Sequence, residues 1–278
     1  MNTQATLYIV ATPIGNLEDI TLRAIKTLQG AELILCEDKR VSSVLLKHLG
    51  IRKPLVSYHL HNEKSKLADT INLILQHKQV ALISDAGTPL ISDPGYLLIK
   101  ECAKHNIVVT PIPGACSLVA ALSVAGIPVN QFIFLGFLDK SVSKQEKILQ
   151  RYSIEGATIV FFESPNRLVN TLKNLSKIYG NNQEVVVAKE LTKMFEEIKR
   201  DSLTNLLQYY QDTPPKGEFI VLIHPKTNYE ISQDDLIIQI KHGIENTSPS
   251  LLAKQLAKKY NINKNTVYDE ILKIKNLI

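Results

Sequence analysis

The chain has 278 residues, of which 45% are hydrophobic, and a formal net charge of +5. That length allows two domains with extensive cores, and the composition excludes a disordered or fibrous chain. The mild excess of base suits a nucleic-acid or ribosomal partner without establishing one.

Every apolar run stops short of the roughly 20 residues that a membrane span requires, so no membrane partner is expected. The amino-terminal MNTQATLYIV has no basic stretch leading into an apolar core, which argues against a secretory leader. Cys36, Cys102 and Cys116 are odd in number and lack CxxC spacing. A reducing, cytoplasmic setting without disulfides or a thiolate zinc site is the expectation.

In chain order, residues 7–10 (LYIV) read as a buried strand ending in Thr12-Pro13-Ile14-Gly15-Asn16, followed by a helix over 20–28 with Asp19 as its N-cap. Residues 33–35 form a second strand, ending in Cys36-Glu37-Asp38-Lys39-Arg40, and a helix then runs to Gly50. A short strand over 55–58 delivers His59, His61, Asn62 and Glu63 to its carboxyl end, and a helix spans 65–76. Residues 80–83 (VALI) are apolar without alternation, as in a strand buried on both faces. They stop at Ser84-Asp85-Ala86-Gly87-Thr88-Pro89, and a second turn, Asp93-Pro94-Gly95, opens a helix over 96–104. Residues 107–110 form another strand, ending in Pro111-Ile112-Pro113-Gly114-Ala115-Cys116-Ser117 before an Ala-rich helix over 117–125. This alternation predicts a parallel sheet, and ligands of such sheets bind beyond the carboxyl ends of the strands. Three of these ends are Pro/Gly loops.

A strand over 132–135 closes a first domain, residues 1–138, and the polar stretch 139–145 marks the boundary. A second α/β domain, residues 139–226, has strands over 158–162, 184–188, 195–200 and 218–223 and helices over 165–179 and 203–210. The tail, residues 227–278, is rich in Ile, Leu, Lys and Asn. There Ser248-Pro249 starts one helix and a turn at 261–263 precedes another over 264–274, a helix-turn-helix-like pair. Packing, dimerisation and nucleic-acid binding are all open roles for it. GxGxxG and GxxxxGK[ST] are absent, against nicotinamide or triphosphatase chemistry.

The segments TPIGNLEDIT, ILCEDKR, SYHLHNE, LISDAGTPLISDPG, PIPGACS, FFESPNRL, AKELTK and KGEFIVLI occur in the order and spacing of one family. Over residues 6–224 the chain resembles the ribosomal RNA small subunit methyltransferase I family of the tetrapyrrole-methylase superfamily. The resemblance implies two α/β domains of that type with the cofactor crevice between them, and a small C-terminal helical domain. It implies S-adenosylmethionine as methyl donor, no metal, and transfer to the ribose 2′-oxygen of a cytidine in 16S ribosomal RNA. The decoding-centre region, the 30S subunit as substrate particle, and a homodimer follow from the same resemblance.

By the same resemblance the donor meets Ile14, Asp85, Ala86, Thr88, Cys116 and Ser117, largely through backbone groups, with Phe162 and Leu191 lining its adenine side. The family pattern EDTR reads EDKR here, so Lys39 stands where a hydroxyl is usual while Glu37, Asp38 and Arg40 remain. A ribose hydroxyl is a weak nucleophile and needs a proton acceptor; Glu37, Asp85 and Glu190 are the candidates, in no order. Arg40, His59, His61, Lys140 and Lys144 are candidates for meeting RNA. The His59/His61/Glu63 alternation resembles a metal cluster but lacks a fourth group. Two other functions stay open: methylation of a tetrapyrrole or corrinoid precursor, and a non-catalytic role in ribosome assembly. Donor binding separates the second from the enzymes.

Overall fold

The apolar runs of the first part of the chain become five parallel strands: β1 (Thr6–Val10), β2 (Leu33–Cys36), β3 (Leu55–Ser57), β4 (Gln79–Ile83) and β5 (Val108–Ile112), in the order β3-β2-β4-β1-β5. This arrangement is seen in a computed structural model, which describes residues 4–59, 62–153, 156–225, 233–244, 247–260 and 262–275. Successive side chains alternate between two cores. Leu7, Leu33, Leu35, Val80 and Leu82 face one side with Leu98 and Ile74, while Val10, Ile34, Cys36, Ala81 and Ile83 face the other with Leu28 and Leu46. Both faces are covered, which is why these strands show no polar alternation. Each fully buried Leu or Ile contributes about 1.5–3 kcal/mol through removal from water.

The connecting helices are α1 (Leu22–Gly30), α2 (Lys39–His48), α3 (Glu63–Leu75), α4 (Tyr96–Lys104) and α5 (Ser117–Val124). Asp19 is not the cap of α1. It ends a short 3-10 turn that Asn16 caps, and the side chain of Thr21 accepts from the Ala24 N–H at 3.0 Å instead.

The second sheet has the order β6-β7-β10-β8-β9, from β6 (Phe132–Phe137), β7 (Thr158–Glu163), β8 (Glu184–Lys189), β9 (Glu197–Ser202) and β10 (Phe219–Ile223). β7 pairs in parallel with β6 and antiparallel with β10. Helices α6 (Val142–Ser153), α7 (Pro165–Tyr179) and α8 (Leu203–Asp212) supply Leu149, Leu172 and Leu206 to its core, against Phe161, Val187 and Val221. β6, grouped with the first domain in the sequence reading, thus pairs in the second sheet. By contacts the chain divides into residues 1–124 with 188–198, and residues 125–187 with 199–278.

The tail forms three helices, α9 (Gln233–Gly243), α10 (Pro249–Tyr260) and α11 (Lys264–Lys275), around Ile240, Leu252, Leu256, Val267 and Ile271. Asn263 caps α11 through its side-chain oxygen, 2.8 Å from the Asn265 N–H. No described helix is long and apolar enough to cross a membrane.

Candidate functional site

β4, β1 and β5 are neighbours in the first sheet, so their carboxyl-end loops meet. Thr12 and Gly87 exchange backbone hydrogen bonds of 2.9 and 3.1 Å, joining the loops after β1 and β4. The Thr88 hydroxyl donates to the Ala115 carbonyl at 3.0 Å and joins the loop after β4 to that after β5. Gly87 has φ +78, and a Cβ there would stand 3.1 Å from Ile14 Cγ2. Only glycine combines that backbone with that approach. Leu90 and Ser92, at φ +73 and +72, add strained positions to the same loop. The structure thus brings Ile14, Ala86, Thr88, Cys116 and Ser117 onto three loops tied by backbone groups, with Ala86 exposed and Cys116 and Ser117 half-exposed.

The neighbouring end of β2 adds carboxylates. The Asp38 N–H donates to Asp85 Oδ1 at 3.0 Å. Burial, followed by the charges of Asp85 and Asp93, raises the pKa of Glu37 above 4.5; the backbone of Asp85 offsets part of this. Asp93 is raised chiefly by burial, with Asp85 adding to it. Asp93 was read from sequence only as a turn former. Asp38 caps α2, accepting from the Arg40 N–H at 2.8 Å, and pairs with the Arg40 guanidinium at 2.6 Å; hydrogen bonds from Arg40 hold its carboxyl at about 2. Arg40 is itself exposed.

Residues 190–196 close over the loop after β1. The Asn16 N–H donates to the Thr192 hydroxyl at 3.1 Å, and a Cβ at Gly15 would lie 2.4 Å from Lys193 Cγ and 3.1 Å from the Leu191 carbonyl oxygen. Glu190, at φ +50, accepts from the Lys193 ammonium at 2.9 Å, and Leu191 is buried.

Glu63, beyond the end of β3 at the start of α3, turns inward. It is 7% exposed, and its Oε1 accepts from the N–H groups of Gly95 and Leu97 at 3.0 and 3.2 Å, capping α4. His59 is half-buried, its N–H donating to the Asn62 side chain at 2.9 Å, and His61 lies outside the described residues. Among the described residues no group of three or more His, Cys, Asp and Glu side chains is arranged to hold a metal ion.

Phe162, Lys140 and Lys144 lie in the second unit. The Phe162 ring stands edge-on to Phe134 and Phe137, at centroid distances of 4.9 and 5.5 Å. Glu163 is fully buried and accepts from Ser164 N–H, Arg167 Nε and Thr171 Oγ1, each at 2.7 Å. Lys144 is drawn to Asp139 at 3.2 Å, which reduces its availability to a phosphate, while Lys140 is exposed.

The sequence model of the Tetrapyrrole (Corrin/Porphyrin) Methylases matches residues 6–207. A Pasteurella multocida protein named Ribosomal RNA small subunit methyltransferase I is 43% identical over 274 residues, covering 96% of each chain. A Thermotoga maritima protein of the same name is 43% identical over 220 residues, covering 79% of this chain and 98% of its own. The solved structure of a diphthine synthase superposes with a TM-score of 0.63 at 15% identity, covering 80% of this chain and 90% of that one, a likeness of fold alone. The breadth of the family match and the identity to near-full-length relatives lead to one conclusion: this chain belongs to the tetrapyrrole methylases and, within them, to the ribosomal RNA small subunit methyltransferase I family.

Proposed function

We propose that the chain is an S-adenosylmethionine-dependent methyltransferase that methylates the ribose 2′-oxygen of a cytidine in 16S ribosomal RNA, in the decoding-centre region of the 30S subunit. It works in the cytoplasm as a homodimer. The near-full-length identity to relatives named for small-subunit ribosomal RNA methylation carries this reading. When bound, the donor supplies a methyl carbon activated by a sulfonium, whose departure leaves a neutral thioether. Ile14, Asp85, Ala86, Thr88, Cys116 and Ser117 hold it through backbone groups. Close packing at Gly87 and Gly15 against Ile14 and Lys193 fixes the path of these loops, and so the main-chain groups they present. Leu191 lines the adenine.

Of the three candidate bases, Glu37 takes the proton. Its raised pKa moves it toward the working pH, where a base is most effective. Asp85 is engaged by the Asp38 N–H and Glu190 by Lys193, so both position loops. Arg40 and His59 meet the RNA from the ends of β2 and β3. The test is transfer of labelled methyl from S-adenosylmethionine to 30S subunits lacking ribose methylation, mapped by nuclease digestion and mass spectrometry. One 2′-O-methylcytidine is the expected product, and Glu37→Gln should lose turnover while keeping donor affinity. Donor binding without label in RNA would redirect the search to tetrapyrrole acceptors.

A further inference from the structure

Beyond the ends of β6 and β7 in the second unit lies a cleft of about 570 Å³ lined by Phe137, Leu138, Asp139, Lys140, Ser164 and Arg167. Its parts come from two motifs with separate sequence origins, FLDK and ESPNR. Phe137 is 60% exposed, an unusual position for a phenylalanine, and its inner edge rests on Phe162. Arg167 is anchored rather than loose: Nε donates to the buried Glu163 at 2.7 Å and Nη1 to the Leu138 carbonyl at 3.0 Å. The one carboxylate in the lining, Asp139, is already engaged by the Ser141 N–H at 2.8 Å and the Lys144 ammonium at 3.2 Å. Lys140 makes no ion pair with a described residue. The cleft therefore joins an exposed aromatic face to the Lys140 ammonium and to the Arg167 guanidinium, whose orientation is fixed by its pair with Glu163, while its lining acid is already engaged.

An aromatic face beside anchored positive charge matches a nucleotide, whose base stacks while its phosphate meets the cations. We infer that this cleft is a subsite for a nucleotide of the substrate RNA flanking the methylated one, with the base on Phe137 and the phosphate at Lys140 and Arg167. The inference rests on the proposed RNA methylation and gives that reaction a grip on the second unit. It selects unpaired RNA, because a base can stack on Phe137 only when it is splayed from its helix.

The test uses the full chain, 30S subunits lacking ribose methylation, and the variants Phe137→Leu, Lys140→Ala and Lys140→Arg. Phe137→Leu keeps apolar bulk without a stacking face and should weaken 30S binding about tenfold. Lys140→Ala should weaken binding and lower the slope of log affinity against log salt by about one, with Lys140→Arg restoring it. Affinity for S-adenosylmethionine, measured by calorimetry, should stay at the wild-type value in all three. Unchanged 30S affinity and salt slope would overturn the subsite. So would loss of donor affinity in step with RNA affinity, which would make the cleft part of the donor site. In both cases the wild-type chain still methylates 30S subunits. If wild type transfers no methyl to RNA, the parent reading fails instead, and the subsite with it.

Discussion

Glu63 carries a carboxylate into the interior, where the N–H groups of Gly95 and Leu97 converge on one of its oxygens. The Tyr58 phenol lies beside it, its pKa raised by burial and then by the Glu63 charge. Glu63→Leu would leave one buried and one half-buried donor unpaired, at about 3 kcal/mol, and would free the start of α4 and the loop before it. We expect Glu63→Leu to lower the urea midpoint and weaken donor binding, and Glu63→Gln, which keeps an acceptor oxygen, to restore most of both. Equal donor affinity in all three proteins would show that this loop does not depend on the cap. Glu37 gives a pH signature. Its unfolded carboxyl titrates near 4.5 and its folded one higher. Between those values the folded state holds a proton that the unfolded state has lost, so stability falls as pH rises through the window and stays lower above it. Replacing Glu37 by Gln removes that loss. The melting temperature of the variant relative to wild type should therefore climb as pH rises from about 4, then level off; a difference independent of pH would refute it.

The loop clamp is a property of elements. Residues 190–196 reach the loop after β1 through the hydrogen bond from Asn16 N–H to the Thr192 hydroxyl and through the bare face of Gly15. Thr192→Val should cost about 1 kcal/mol, whereas Gly15→Ala forces a Cβ to 2.4 Å from Lys193 Cγ and displaces the clamp unless the lysine chain swings aside. Amide exchange of Leu191 and Asn16 should accelerate in both variants, and more in Gly15→Ala. Equal exchange in all proteins would mean the clamp is held elsewhere. Local elements were legible in the sequence and this clamp was not. β2 and β4 were legible because burial on both faces leaves an unbroken apolar run, and α7 because Pro165 and Tyr179 bound it within the expected range. The closeness of Gly15 to Lys193 was not, since no local pattern couples positions so far apart. The burial of Glu63 was not legible for the same reason: an acid opening a helix looks solvent-exposed until the N–H groups of Gly95 and Leu97, 32 and 34 residues on, converge on it.

At the scale of the whole molecule, the question is whether the tail takes part in recognising the substrate. The tail has its own core, with Ile240, Ala253, Val267 and Ile271 fully buried among its three helices. The Thermotoga maritima relative is covered to 98% by 220 aligned residues, which are 79% of this chain. A chain ending at Pro225 should therefore keep wild-type affinity for S-adenosylmethionine while methylating 30S subunits more slowly, mainly through a raised KM. A second variant guards against a truncation that simply misfolds. Gly243 faces Leu252, and a Cβ there would stand 2.5 Å from Leu252 Cδ1, so Gly243→Val should loosen the three-helix packing within the full-length chain. If the tail serves recognition, both proteins raise KM for 30S subunits and leave donor affinity alone. If donor affinity falls in parallel with methylation in both, the tail is part of the fold that supports the donor loops, and recognition of RNA belongs to the α/β units alone.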